Sequence, residues 1–226
     1  MKNLIASVKI AINSQLYLKD PESSELGLKI VHKGIDLINS IGFEEFTFRK
    51  LGLEIHSPEA SIYRYFESKH KFLLYLNAWY WGWMEYRLLL ATSNVVSAEK
   101  RLEKAVFLMT EGVENDPNFH GVNLVKLQEI VVAEASKTFL NRKVDQANQD
   151  GAYQSYKDFV SNVASIIEEI NPTYKYPCML ITTVVEGAHQ QRFFAEHLPR
   201  LTNKQSKPHY LSKFYMDLVL KTIKSN

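Results

Sequence analysis

Cysteine is nearly absent from this 226-residue chain. Its one copy, Cys178, excludes an internal disulfide and any metal site built from several thiolates. A buried, apolar setting is the expected place for such a lone thiol. An excess of one charge is also lacking. The chain has 27 Lys and Arg against 25 Asp and Glu, a formal net charge of +2, too little for a protein that coats nucleic acid without selectivity. No long hydrophobic run is present: the longest, Phe72 to Met84, contains Asn77 and falls well short of the ~20 residues a membrane helix needs. Alternating strand patterns and internal repeats are missing too. So are a Gly-x-Ser-x-Gly elbow, a phosphate-cradling glycine loop and a His-Glu-x-x-His pair. Glu186 and His189 have the spacing of a carboxylate–histidine half-site on a helix, but its twin is absent, so His189 reads as a core histidine. No enzymatic activity, metal or cofactor is expected.

What is present is helical periodicity and enough apolar residues, 46%, to bury a substantial core. Ile5, Val8, Ile12 and Leu16 predict an amphipathic N-terminal helix that breaks at Asp20-Pro21, an extension rather than a cleaved leader. It is expected to pack on the body, with Lys2, Lys9 and Lys19 as the cations it carries. A broad stripe of Leu26, Ile30, Ile35, Leu37, Ile38 and Ile41 predicts a helix closed by Gly42. Further helices are expected over 68–91, from a cap at Ser97 to 115, over 122–140, up to Asn171-Pro172, over 176–197 and over 209–224. Residues 141–151 read as a charged, glutamine-rich turn, and 199–208 as the most loop-like stretch. The fold class is all-α.

The segment from Thr47 to Lys69 carries the most information. Thr47 is a good N-cap for a short helix that sets Phe48, Leu51 and Ile55 on one side. The helix breaks at His56, and Ser57-Pro58-Glu59 restarts one with a hydroxyl, a proline and an acid suited to a helix start. Ile62 and Phe66 face inward, leaving Ser61, Arg64 and Tyr65 outward with Tyr63 at the edge. This layout is a helix-turn-helix whose second helix can enter a major groove. Arg49, Lys50, Lys69 and Lys71 sit at helix starts, where positive charge costs roughly 0.3–1 kcal/mol per site. Phosphates are the anions such cations are expected to meet. Between Leu26 and Phe72 seven cations (29, 33, 49, 50, 64, 69, 71) oppose six acids (36, 44, 45, 54, 59, 67), so affinity must come from placement.

Gly42, Phe43, Thr47, Ser61, Ile62, Tyr63, Phe66 and Lys69 together resemble the tetracycline-repressor (TetR) family, Tyr63-x-x-Phe66-x-x-Lys69 being the most specific part. The resemblance covers residues 26–72. The chain departs from the family at the turn, where His56-Ser57 replaces glycine and an apolar residue, at Gly52 in place of alanine, and at Glu59. The resemblance implies an extension over 1–22, a helix-turn-helix DNA-binding domain over 23–72, and a helical effector-binding and dimerisation domain over 73–226. It further implies a cytoplasmic, homodimeric repressor that reads a palindromic operator in double-stranded DNA and is released by a small effector, with no membrane partner.

On that reading, Thr47, Arg49, Lys50, Ser57, Pro58, Glu59, Ser61, Tyr63, Arg64, Tyr65 and Lys69 are the candidate DNA-facing residues. The aromatic crowding of Trp79 and Trp83, with Phe107, Phe119, His120, Tyr153, Tyr156 and His189, makes these the candidate lining of a pocket for an apolar or aromatic effector. Leu211, Phe214, Tyr215 and Leu218, on a last helix more apolar than one core-facing stripe requires, are the candidate dimer contacts. The competing reading is an all-helical small-molecule or protein-interaction module with a degenerate helix-turn-helix.

Overall fold

The apolar periodicity is realised as helices throughout. The structure is a computed structural model that describes residues 9–116, 118–119, 121–203 and 208–225. Among them every regular element is helical, in the order α1 (Glu25–Glu45), α2 (Phe48–Glu54), α3 (Glu59–Tyr63), α4 (Lys69–Thr92), α5 (Ala98–Thr110), α6 (Leu124–Ala133), α7 (Ala135–Phe139), α8 (Val144–Gln149), α9 (Gln154–Ile170), α10 (Pro177–His197) and α11 (Tyr210–Lys224). Two compact units result, each assembled from two stretches of chain: the described residues up to 83 with those of 113–155, and 84–112 with the described residues from 156 onward.

In the first unit, α1 begins at Ser24, whose Oγ accepts the Gly27 amide, and it kinks at Gly42, which has φ 78°. Only glycine takes that backbone without strain. Beyond the kink the chain drops Phe43 and Phe46 into an aromatic core with Phe48, Phe66 and Phe72, all buried. Phe46 stacks on Phe72 at 5.7 Å, and Phe66 meets Phe72 edge-on at 4.8 Å, spacings at which aromatic pairs attract. Along its other side α1 is tied to α6 and α7. Lys126 reaches Asp36 at 2.7 Å, Asn39 donates to Glu129 at 2.6 Å, and Lys137 reaches Glu44 at 3.1 Å. The helix-turn-helix thus belongs to a unit that also contains α6, α7 and α8.

The second unit packs α5 against α10 and α11, with Leu102, Val106, Ile181, Val184, Val185 and Val219 buried. Polar ties close it: Arg101 to Glu169 at 2.6 Å, the Thr110 and Ser212 hydroxyls at 2.8 Å, and Asn171 Nδ2 donating to the Ile223 carbonyl at 2.7 Å.

Four expectations are corrected. Residues 9–20 are not an amphipathic helix. They form a strap with one short 3₁₀ turn, Ser14–Leu16, because the Asn13 side chain accepts the Gln15 amide and so offers the backbone a local alternative to helix. The strap packs through Ile10 and Leu16, and its Leu18 amide donates to the Tyr65 carbonyl at 2.8 Å. Residues 1–8 lie outside the described ones. The helix expected over 122–140 is broken at Glu134 into α6 and α7, and the expected turn over 141–151 contains α8. Cys178 is exposed rather than buried, since it falls on the first turn of α10.

Candidate nucleic-acid interface

The turn between α2 and α3 is made by His56, at φ 53°. A left-handed backbone at a non-glycine residue costs about 1–2 kcal/mol, and histidine bears it better than a branched residue. Gly52 makes the close approach on which the turn depends. A Cβ there would lie 2.7 Å from the Ser57 carbonyl oxygen, which accepts nothing from Gly52, while the Ser57 amide donates to the Gly52 carbonyl at 2.9 Å. Alanine at 52 would therefore cost more through overlap than it gains in helix propensity, which explains the departure noted in the sequence.

Thr47 caps α2 by accepting the Lys50 amide at 3.1 Å. Arg49, Lys50, Pro58, Tyr63 and Arg64 are exposed, and Ser57, Glu59 and Ser61 are partly so. Tyr63, 47% exposed, leans edge-on against Phe48 at 5.1 Å, so its ring is braced while its hydroxyl end faces out. The N-cap of α3 is Pro58 rather than Ser57, with no side-chain cap.

Two of the expected outward residues turn inward. α3 ends at Tyr63, and the turn that follows buries Tyr65 to 3% exposure, where its hydroxyl pairs with Ser24 Oγ at 2.7 Å. Lys69 is not free either. Its Nζ donates to the carbonyls of Phe43, Glu44 and Phe46 at 3.0, 2.9 and 3.1 Å and sits over the Phe43 ring at 4.9 Å. It closes the corner that follows the Gly42 kink.

The seven cations between residues 26 and 72 can be assigned one by one. Lys29 donates to the Ile55 carbonyl, Lys33 pairs with Asp36, Lys50 with Glu45, and Lys71 with Asp150 at 2.5 Å, while Lys69 holds the corner. Only Arg49 and Arg64 have no carboxylate or carbonyl partner among the described residues. Both are exposed, Arg49 in the first turn of α2 beside Phe48 and Arg64 at the end of α3 beside Tyr63. The charge available for phosphates is narrower than the sequence implied.

The expected effector residues divide between the units. Trp79 and Phe119 meet edge-on at 5.6 Å and line a cavity of about 340 Å³ with Leu28, Val31, His32 and Tyr75. Burial lowers the His32 pKa against the opposing pull of Asp36, and burial raises that of Tyr75 well above its ordinary value. Trp83 is core, and Tyr153 is buried with its hydroxyl donating to the Thr138 carbonyl at 2.7 Å. Phe107, Tyr156 and His189 belong to the second unit. There Phe107 is exposed with its ring 5.2 Å from His209, and burial pushes the pKa of His189 down to about 3. His120 lies outside the described residues. Leu28, Val31 and His32 were not anticipated as lining; they sit on a stripe whose period reads equally well as plain core.

Of the four candidate dimer contacts, Leu211 and Tyr215 are buried within their own unit, Tyr215 against Gly187. Phe214 and Leu218, 57% and 37% exposed, point outward from α11, and Met179 and Phe193 are exposed on α10.

The all-helical fold built on this helix-turn-helix is shared with several solved structures. No family model matches the sequence, and no curated protein matches it either. Solved structures do. The ketosteroid transcriptional regulator KstR2 of Mycobacterium tuberculosis is 13% identical over 96% of this chain and 97% of its own, with a TM-score of 0.50. AibR, in complex with isovaleryl coenzyme A and operator DNA, is 14% identical over 85% and 94%, with a TM-score of 0.51. The superantigen PfiT is 14% identical over 92% and 100%, with a TM-score of 0.59. Identities this low establish the fold alone, and PfiT illustrates that a shared fold does not carry a shared activity.

Proposed function

We propose that the protein is a DNA-binding transcriptional regulator, a homodimeric repressor that reads a palindromic operator and is released by a small apolar or aromatic effector. The observation that carries this reading is the set of exposed groups on α2 and α3: Tyr63, braced by Phe48, together with Arg49 and Arg64, which have no carboxylate or carbonyl partner among the described residues. An aromatic hydroxyl and polar Ser61 face a groove, and the arginines take phosphates on either side. Glu59, next to Pro58, is positioned to accept from a cytosine amino group. Thr47 and Ser57 are hydroxyl donors to the sugar–phosphate backbone, beside Lys50, which stays paired with Glu45. Lys69 and Tyr65 serve the interface indirectly, by holding the corner and the end of α3 in place.

Phe214 and Leu218 support pairing of two copies, which sets two such faces about one DNA turn apart. The effector site is the aromatic cavity under α1 formed by Trp79 and Phe119. α6 is tied to α1 by Asp36–Lys126 and Asn39–Glu129, so an occupant that favours one placement of α1 shifts the population competent for DNA. KstR2 and AibR, whose names specify a transcriptional regulator and an operator complex, support the class of function.

A pull-down of genomic fragments with purified protein, sequenced at several salt concentrations, tests the reading. An enriched palindrome is expected, with log affinity falling against log salt with a slope of about −3.6, from two free arginines on each of two protomers. Tyr63→Ala is expected to lose about 1–3 kcal/mol of operator preference. Retention blind to sequence in wild type and variant alike overturns it. The second reading, a helical binding module without DNA recognition, is favoured by the five helix-turn-helix cations already held within the fold, and it is the one that such an outcome selects.

A further inference from the structure

A shallow, open surface pocket of about 550 Å³ lies in the first unit, away from the aromatic cavity described above. Its walls are Phe43 and Glu44 at the end of α1, His70 in the first turn of α4, and Lys137, Arg142 and Lys143 from α7 and the turn after it. That turn is built rather than loose. Asn141 Nδ2 donates to the carbonyls of Lys137 and Thr138 at 2.9 and 3.0 Å, and its Oδ1 accepts the Lys143 amide at 2.9 Å. An arrangement of this kind fixes the backbone from which Arg142 and Lys143 project.

The charges around the cavity do not cancel. Lys137 is shared between Glu134 and Glu44, at 2.6 and 3.1 Å, so the one acid lining the pocket already has a cationic partner. Lys71, on the same turn of α4 as His70, is matched by Asp150. Lys69 is held by carbonyls. Arg142 and Lys143 have no carboxylate partner among the described residues. His70 Nε2 is buried and has no hydrogen-bond partner, a donor or acceptor that costs free energy until something meets it.

We infer that this cavity is a phosphate-binding site, in which Arg142 and Lys143 hold a phosphoryl group and His70 Nε2 donates to it. The chemistry fits one ligand class. Two cations and an imidazole line the pocket, a set suited to an anion with several acceptor oxygens, and Phe43 and Leu140 offer apolar surface for whatever carries it. The phosphoryl group has two sources, a free phosphorylated small molecule or the backbone of DNA bound at the neighbouring helix-turn-helix. The site stands on its own residues and does not depend on the regulator reading. His70 also supplies a reporter. Burial and the positive charges of Lys143 and Lys71 hold its pKa below the ordinary value, so an anion in the cavity raises it.

The test follows the His70 imidazole Hε1 resonance in the full chain, assigned with His70→Gln, during titration with pyrophosphate and, separately, with duplex DNA. The expected result is a saturable shift with a rise in the His70 pKa, and an affinity at least about tenfold weaker in an Arg142→Gln, Lys143→Gln double variant that unfolds at the same urea concentration as wild type. A response to pyrophosphate assigns a small-molecule source. A response to DNA alone assigns the backbone, and the double variant then loses about half of a salt slope that has risen to about −7. No saturable shift with either probe, or an equal one in the double variant, overturns the site, even if DNA binding through Tyr63 persists.

Discussion

Lys69 shows how a single charge can look like a ligand-binding group in sequence and act as a corner brace in the fold. Its ammonium group has three donors, and the three carbonyls of Phe43, Glu44 and Phe46 take them. Those oxygens belong to the end of α1, where a helix leaves carbonyls without partners and concentrates negative partial charge. The cation at the start of α4 thus offsets its unfavourable place on its own helix by capping another. Lys69→Met is expected to lower unfolding stability by about 1.5–3 kcal/mol, the worth of hydrogen bonds to a charged group, read as a lower urea midpoint at unchanged slope. Operator affinity per folded molecule should change by less than it does in Arg64→Ala. The reverse ranking would return Lys69 to the DNA face. Neither its partners nor the Tyr65–Ser24 pair was legible in sequence, because both contacts span more than twenty residues and depend on how α1 lies against the turn after α3 and the start of α4.

At the scale of the element, the helices that were legible are those whose ends are written locally. Ser97 accepts the Lys100 amide and starts α5, Thr47 starts α2, and the apolar period of α4, α10 and α11 needs no tertiary information. What escaped was decided by local competition or by distant packing. Asn13 unwinds the strap, Glu134 breaks α6 from α7, and α8 forms in a polar segment because Ala147 is buried beneath it. The aromatic pocket was half legible: Trp79 and Phe119 do meet, but the α1 side of the cavity reads as core until the fold shows it. The α2–α3 turn gives this scale its test. With φ 53° at residue 56, His56→Gly is expected to stabilise the protein by about 0.5–1 kcal/mol, measured by thermal unfolding, since glycine bears no penalty there. A loss of stability instead would assign the histidine ring a contact that offsets its strain.

For the whole molecule, the exposed side chains of α10 and α11 set the expectation. Phe214 and Leu218 lie one helical turn apart on α11, an apolar pair that water covers unless a second copy does. Phe214→Glu is expected to convert a dimer to a monomer in sedimentation equilibrium, with helicity by circular dichroism unchanged. A monomeric wild type at micromolar concentration would remove the dimer from the proposal, and with it the palindrome.

The weld between α1 and α6–α7 has a consequence for synthesis. Translation proceeds at about 5–20 residues per second, so α1 to α3 leave the ribosome on the order of ten seconds before α6 and α7 arrive to meet Asp36, Asn39 and Glu44. Throughout that interval the part of the chain proposed to read DNA waits, half-covered, for a stretch made much later. A nascent chain stalled before α6 would expose that flank to chaperones and proteases, and the finished protein would gain its DNA-facing surface only after most of its length had been made.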